Sequence, residues 1–265
     1  MVTNLLASFA RFTYFSNMLT GTAAVALCLQ TAVLLDWLYI PTWFYVLMFS
    51  NTILQYGLHD LFTKKATTPA KPKIAFRIRN HSYFIGSVVI AALISALLFF
   101  NLKWIQIYWL LLMGVLTIAY SFPILPFKQL RLFKQNGHLK LLVLLIVWTI
   151  STTVLPATFI PYGFDDKFYW LLTFRFLFML AICIPFDVPD DIAVIKTTRN
   201  TMASLMGEKR CYQLSYLCLL IAALLLIPGY YLDVSIHYLA ALLLSLIATA
   251  RMVDYSSKRM FSLPS

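Results

Sequence analysis

The stretch Tyr83-Phe84-Ile85-Gly86-Ser87-Val88-Val89-Ile90-Ala91-Ala92-Leu93-Ile94-Ser95-Ala96-Leu97-Leu98-Phe99-Phe100-Asn101 contains no Asp, Glu, Lys, Arg or His. A helix that crosses a bilayer needs about 20 mostly apolar residues, and this run meets that length. Its apolar residues are continuous, whereas a barrel strand alternates over about ten residues. The run therefore reads as a spanning helix. Arg77 and Arg79 precede it and Lys103 follows it, so charge begins where the apolar run ends.

Working outward, seven further stretches have the same character, at 14–35, 42–62, 104–122, 140–160, 168–186, 212–232 and 236–255. With 83–101 they make about eight spans. No polar linker divides the 265 residues, so 1–265 reads as a single integral membrane domain, an all-α polytopic helical bundle. Composition agrees: 61% of residues are hydrophobic and 12% charged, with a mean hydropathy of +0.81. A soluble domain carries about 45–50% apolar and about 25% charged residues.

The formal net charge of +11 suggests nucleic acid at first sight. The placement of the charges excludes that partner. Lys64, Lys65, Lys71, Lys73, Arg77 and Arg79 fall between spans two and three, and Lys128, Arg131, Lys134 and Lys140 between four and five. Lys196, Arg199, Lys209 and Arg210 fall between six and seven, with Arg11 at the start and Arg251, Lys258 and Arg259 at the end. The opposite side carries only Lys103 and Lys167, beside Asp36, Asp165, Asp166 and Asp233. Such a bias over short loops predicts both termini in the cytoplasm. The cysteines add little. Cys28, Cys183 and Cys218 lie inside apolar runs and Cys211 at the mouth of one, with no CxxC pair to suggest zinc or a disulfide framework.

The ionisable groups gather at one membrane face. A transporter instead places polar groups near the midplane on broken helices. The arrangement suits a charged head group on a hydrophobic tail. Asp187, Asp190 and Asp191 form the one dense acidic cluster, directly after span six. A continuing helix would place them at i, i+3 and i+4, on one face. Mg²⁺ is held by one or two carboxylates with phosphate oxygens and water, and Lys128, Arg131, Lys196 and Arg199 are candidates to neutralise further phosphate charge. A solvated helix end explains the same aspartates equally well.

The run from Asp187 to Gly207 resembles the second aspartate-rich motif of the UbiA-type intramembrane prenyltransferase superfamily, approximately D-x-x-D-x-x-x-D followed by G-x-x-T-L-P and a closing Gly. Asp187, Asp190, Thr201 and Gly207 fall on motif positions. Pro185-Phe186-Asp187-Val188-Pro189-Asp190 is similar to the P-F-D-I-R-D of short bacterial members. Tyr120-Ser121-Phe122-Pro123-Ile124-Leu125-Pro126-Phe127-Lys128 resembles the family's loop after span four, with Trp148 and Pro156 following in span five. Val194, Thr198, Met202 and Ala203 depart from the second motif. The first motif, N-D-x-x-D-x-x-x-D, corresponds to Gln55-Tyr56-Gly57-Leu58-His59-Asp60-Leu61, with one carboxylate. Against the short-member form Y-N-x-x-R, Tyr56 matches, Gly57 replaces Asn and Asp60 replaces Arg. The family typically has nine helices; about eight are counted here.

The resemblance implies a ring of helices around a lipid-open cavity in a bacterial inner membrane, capped by cytoplasmic loops. It implies Mg²⁺ held at Asp187 and Asp190 against a prenyl diphosphate, with Gln55, Tyr56, His59 and Asp60 as a degenerate first motif. Asp187 and Asp190 are then expected to face His59 and Asp60 across the cavity mouth. The implied activity is transfer of a prenyl group to an acceptor. The alternative is a non-catalytic shell that binds membrane lipid or assembles with protein partners.

Three further positions stand out. Arg175 lies about a third of the way along span six, where a cation is costly unless paired. Asp165 or Asp166 are its expected partners, with snorkelling to the interface as the expected geometry. His59 is either a ligand or an ordinary hydrogen-bonded histidine. Asn51 and Gln55 share a helix face and either bind polar atoms of a ligand or link helices. Cysteines introduced at Lys71 and Asp165 should label from opposite membrane sides. Labelling of both from one side would overturn the topology.

Overall fold

The computed structural model describes residues 13, 16–36, 39–62, 80–121, 137–160, 164–187, 202 and 206–261. Every regular element among them is helical. We number them α1 (Met18–Leu34), α2 (Thr42–Phe62), α3 (His81–Phe99) and α4 (Trp104–Ser121). Helix α5 fills 137–157 in three pieces: Gly137–Thr149, a π turn at Ile150–Val154, and Leu155–Ala157. Then come α6 (Asp166–Asp187), α7 (Glu208–Tyr231, interrupted at Leu225) and α8 (Ile236–Phe261).

Four of these, α3, α6, α7 and α8, are long and apolar enough to cross a membrane. Helix α1, most of α4 and the part of α5 from Leu141 to Ala157 are shorter apolar helices. Helix α2 has 21 residues but carries Ser50, Asn51, Thr52, Gln55, His59 and Asp60. Each of the eight stretches read from the sequence thus overlaps a helix among the described residues, and four of those helices have full spanning length and apolarity. Large apolar side chains such as Leu97 and Phe100 near the end of α3, or Leu244 and Ile247 on α8, are exposed. Hydrocarbon is the solvent that suits such faces.

Helix α6 is the most enclosed of the four long helices, 50% buried against 17% for α3. It packs on α5, α7 and α8, while α2 packs between α1 and α3. At one end of the bundle Lys167 pairs with Asp36 at 3.7 Å. At the other, Asn17 Nδ2 donates to Asp60 Oδ2 at 3.3 Å. These contacts fix which helix ends lie together.

Proline governs the packing between helices. In an α-helix the carbonyl of residue i is served by the N–H of residue i+4, and proline has no N–H. Pro156 therefore leaves Thr152 O without its helical donor, and Thr31 Oγ1 of α1 supplies one at 2.7 Å. The Leu155 N–H reaches back to Ile150 O, which is the π register. Ser151 O then loses Leu155 as a donor, and the residue five ahead is again Pro156. Cys28 Sγ of α1 lies 3.7 Å from that oxygen. Pro185 does the same in α6: Ala181 O is left free, and the buried Ser215 of α7 donates to it at 2.6 Å. In α7 the helix breaks at Leu225, whose carbonyl keeps the Gly229 N–H at 3.3 Å as helical donor and also accepts from Trp170 Nε1 at 2.6 Å, so this bond does not answer a proline. Trp170 also lies under Gly229, where a Cβ would come within 2.5 Å of its Cζ2. Only glycine admits that ring.

Ser215→Ala should destabilise the protein by about 1–2 kcal/mol, the cost of an unsatisfied carbonyl in an apolar interior. In a Pro185→Ala background the new N–H can serve Ala181 O, so the same substitution should cost less than half as much. Reversible unfolding in mixed micelles measures both. An undiminished cost in that background would overturn the assignment.

Candidate functional site

A cavity of about 900 Å³, its open mouth included, lies between α1, α2, α4 and α5. Helix α2 contributes Met48, Asn51, Thr52, Gln55, Tyr56 and His59. Their spacing of three and four keeps them on one helix face. The opposite walls are largely apolar: Met113 and Thr117 from α4, Val143, Leu144, Val147, Trp148 and Ser151 from α5, and Ala24 from α1. Among the described residues the lining carries no Asp, Glu, Lys or Arg. Amide, hydroxyl and imidazole groups on one wall face a hydrocarbon surface on the others. Apolar walls with a few convergent polar groups are the usual make-up of a small-molecule pocket.

The cavity uses α2 from Met48 to His59, the later half of α4, the middle of α5 and the early half of α1. It therefore sits toward the end of the bundle from which 63–79 and 122–136 leave the helices. Gln55, Tyr56 and His59 are thus brought together in one lining. Tyr56 also meets Trp148: the indole Nε1 donates to Tyr56 Oη at 3.0 Å, with ring centroids 6.5 Å apart. The two residues are 92 positions apart in sequence and join the polar wall to the α5 wall.

Asp60 is placed differently. It does not line the cavity, and its Oδ2 accepts from Asn17. Among the described residues no group of three or more His, Cys, Asp or Glu could hold a metal ion. A hard cation needs several oxygen ligands, so the described residues do not by themselves make a Mg²⁺ site, and no step is derived through one. Asp187 closes α6. Its side chain, and Asp190, Lys128, Arg131, Lys196 and Arg199 entirely, lie outside the described residues, as does their expected facing of His59 and Asp60.

Arg175 corrects the sequence expectation. It is fully buried and does not snorkel. Nη1 and Nη2 both donate to Leu27 O at 3.2 Å, and Nη2 donates to Thr31 Oγ1 at 3.1 Å. Asp165 accepts the Phe168 N–H at 2.8 Å, capping α6. The reason is distance: nine or ten residues along a helix is roughly 14 Å, beyond the reach of an arginine. Among the described residues no carboxylate pairs with Arg175.

Sequence reasoning missed Thr52, Met113, Thr117 and Ser151 as lining. The spacing from Met48 through His59 could have shown Thr52. The others depend on which helices meet. The structure also explains Gly57. It is buried, and a Cβ there would lie 2.4 Å from Val88 Cγ2 of α3. An Asn at this position has no room, and α2 approaches α3 through the missing side chain. Gly57→Ala should therefore destabilise the protein by about 1–3 kcal/mol through overpacking, and Val88→Ala should recover most of that loss in a thermal-unfolding measurement.

Comparison with protein-family models, with curated proteins and with solved structures finds no match to this chain.

Proposed function

We propose that this chain is a UbiA-like membrane protein that binds a prenyl diphosphate, with the isoprenoid chain in the cavity and the diphosphate at its mouth. One observation carries the reading. The polar face of α2 faces apolar walls in a space that lies toward the end of α2 and α4 after which the basic stretches follow in sequence. The walls from α4 and α5 exclude water from the chain. The carboxamides of Asn51 and Gln55 donate N–H to the head-group end, and Lys128, Arg131, Lys196 and Arg199 meet phosphate beyond the mouth. A ring of eight helices with both termini cytoplasmic in a bacterial inner membrane belongs to this reading. So does Mg²⁺ at Asp187 and Asp190, which would supply electrophilic stabilisation of a departing diphosphate.

A second reading, a non-catalytic lipid-binding or complex-assembly subunit, is favoured by Asp60. The one carboxylate of the first motif is bonded to Asn17 and stands outside the lining.

Isothermal titration with farnesyl diphosphate and with farnesol, each with and without Mg²⁺, separates the two. The first reading expects Mg²⁺-dependent binding of the diphosphate, weakened about tenfold by Gln55→Leu through one lost charge-assisted hydrogen bond. Asp187→Asn and Asp190→Asn should each remove the Mg²⁺ dependence. Equal affinity for farnesol and farnesyl diphosphate, indifferent to Mg²⁺, would overturn the enzyme reading and leave the second. Binding of neither would overturn the first reading and leave the second as a complex-assembly subunit.

A further inference from the structure

We infer that Arg175, which does not touch the cavity, is the positioning residue for the cavity's α5 wall; this rests on the reading of that cavity as the binding site. The argument turns on one proton. Thr31 Oγ1 has a single hydrogen and two carbonyls within reach, Leu27 O at 3.0 Å and Thr152 O at 2.7 Å. Leu27 O lies one turn back on the same helix and is the default partner of a helical threonine. Arg175 occupies that default. Both of its terminal nitrogens donate to Leu27 O at 3.2 Å, and Nη2 also donates to Thr31 Oγ1 at 3.1 Å. With Leu27 O taken, the Thr31 proton goes to Thr152 O, the carbonyl that Pro156 leaves without its helical donor.

The consequence is felt on the other side of α5. The π turn that includes Thr152 also includes Ser151, and Ser151, Trp148 and Val147 line the cavity. The relay from Arg175 through Thr31 to Thr152 O therefore pins that wall from behind. A lysine cannot replace the arginine, because only the planar fork reaches Leu27 O and Thr31 Oγ1 together. Nor is the arrangement an ion pair: among the described residues Arg175 Nε has no hydrogen-bond partner, and the acceptors it uses are neutral oxygens. Arg175 acts by directing a hydroxyl.

The test compares Thr31→Val, Thr31→Ser and Arg175→Lys with Ser215→Ala, which removes an equivalent bond to a proline-freed carbonyl on the far side of α6. Two quantities are read in each variant: the Kd for farnesyl diphosphate, and the maleimide-labelling rate of a cysteine introduced by Val147→Cys. The second needs no ligand, and the four native cysteines are buried. Thr31→Val and Arg175→Lys should each weaken binding about tenfold and shift labelling severalfold, and their combination should be no worse than either alone. Thr31→Ser should keep both values. Ser215→Ala should lower thermal stability to a similar degree while leaving both unchanged. Wild-type affinity and labelling in Thr31→Val, or equal changes in Ser215→Ala, would overturn the inference. If the wild type binds no farnesyl diphosphate, the proposed function fails and labelling alone decides the role of Arg175. If Arg175→Lys does not fold, Thr31→Val decides it.

Discussion

A backbone carbonyl left without a donor inside an apolar bundle is the constraint on which the rest of this structure depends. Water is not there to serve it, so the protein must. Pro156 and Pro185 each create such a carbonyl four residues back, and each is answered by a hydroxyl from the neighbouring helix. Thr31 thereby ties α1 to α5, and Ser215 ties α7 to α6. Trp170 adds a further bond between α6 and α7, to the Leu225 carbonyl that Gly229 N–H already serves. The bonds are short, buried and directional, in a bundle whose remaining contacts are mostly non-directional apolar packing. They set the register in which the helices meet.

The same constraint accounts for the treatment of the buried cation. A guanidinium in a dry interior is costly, and its usual companion is a carboxylate. Here the compensation comes from oxygen dipoles: the carbonyl of Leu27 and the hydroxyl of Thr31. A helix offers such oxygens along its length, but only where a neighbouring group already engages the hydroxyl is the second lone pair well directed. Arg175 and Pro156 are therefore two ends of one hydrogen-bond arrangement, although they belong to different helices and neither touches the other in sequence.

Against that frame of paired backbone groups the cavity is conspicuous for its asymmetry. Its α2 wall gathers amide, hydroxyl and imidazole groups, and its α4 and α5 walls are largely apolar. Trp148 and Tyr56 close the distance between the two sides with one hydrogen bond. Among the described residues the lining carries no Asp, Glu, Lys or Arg.

The sequence by itself determined the helical class and the presence of helices long and apolar enough to cross a membrane, because unbroken apolar runs of about 20 residues admit few other solutions. It also marked out the eight apolar stretches and picked out Asn51, Gln55, Tyr56 and His59 on α2. These are properties of local spacing, readable from neighbouring residues. Tertiary structure decided the partners. Thr31 and Thr152 are 121 positions apart, and Leu27 and Arg175 148 apart. No local pattern distinguishes Thr31 from the other threonines, or says that Asp165 will cap its own helix while Arg175 turns to α1. Gly57 reads as a departure from a motif until Val88 is seen against it. A freed carbonyl can be foreseen from a proline, but which side chain answers it depends on which helix lies opposite, and that is settled only when the helices pack.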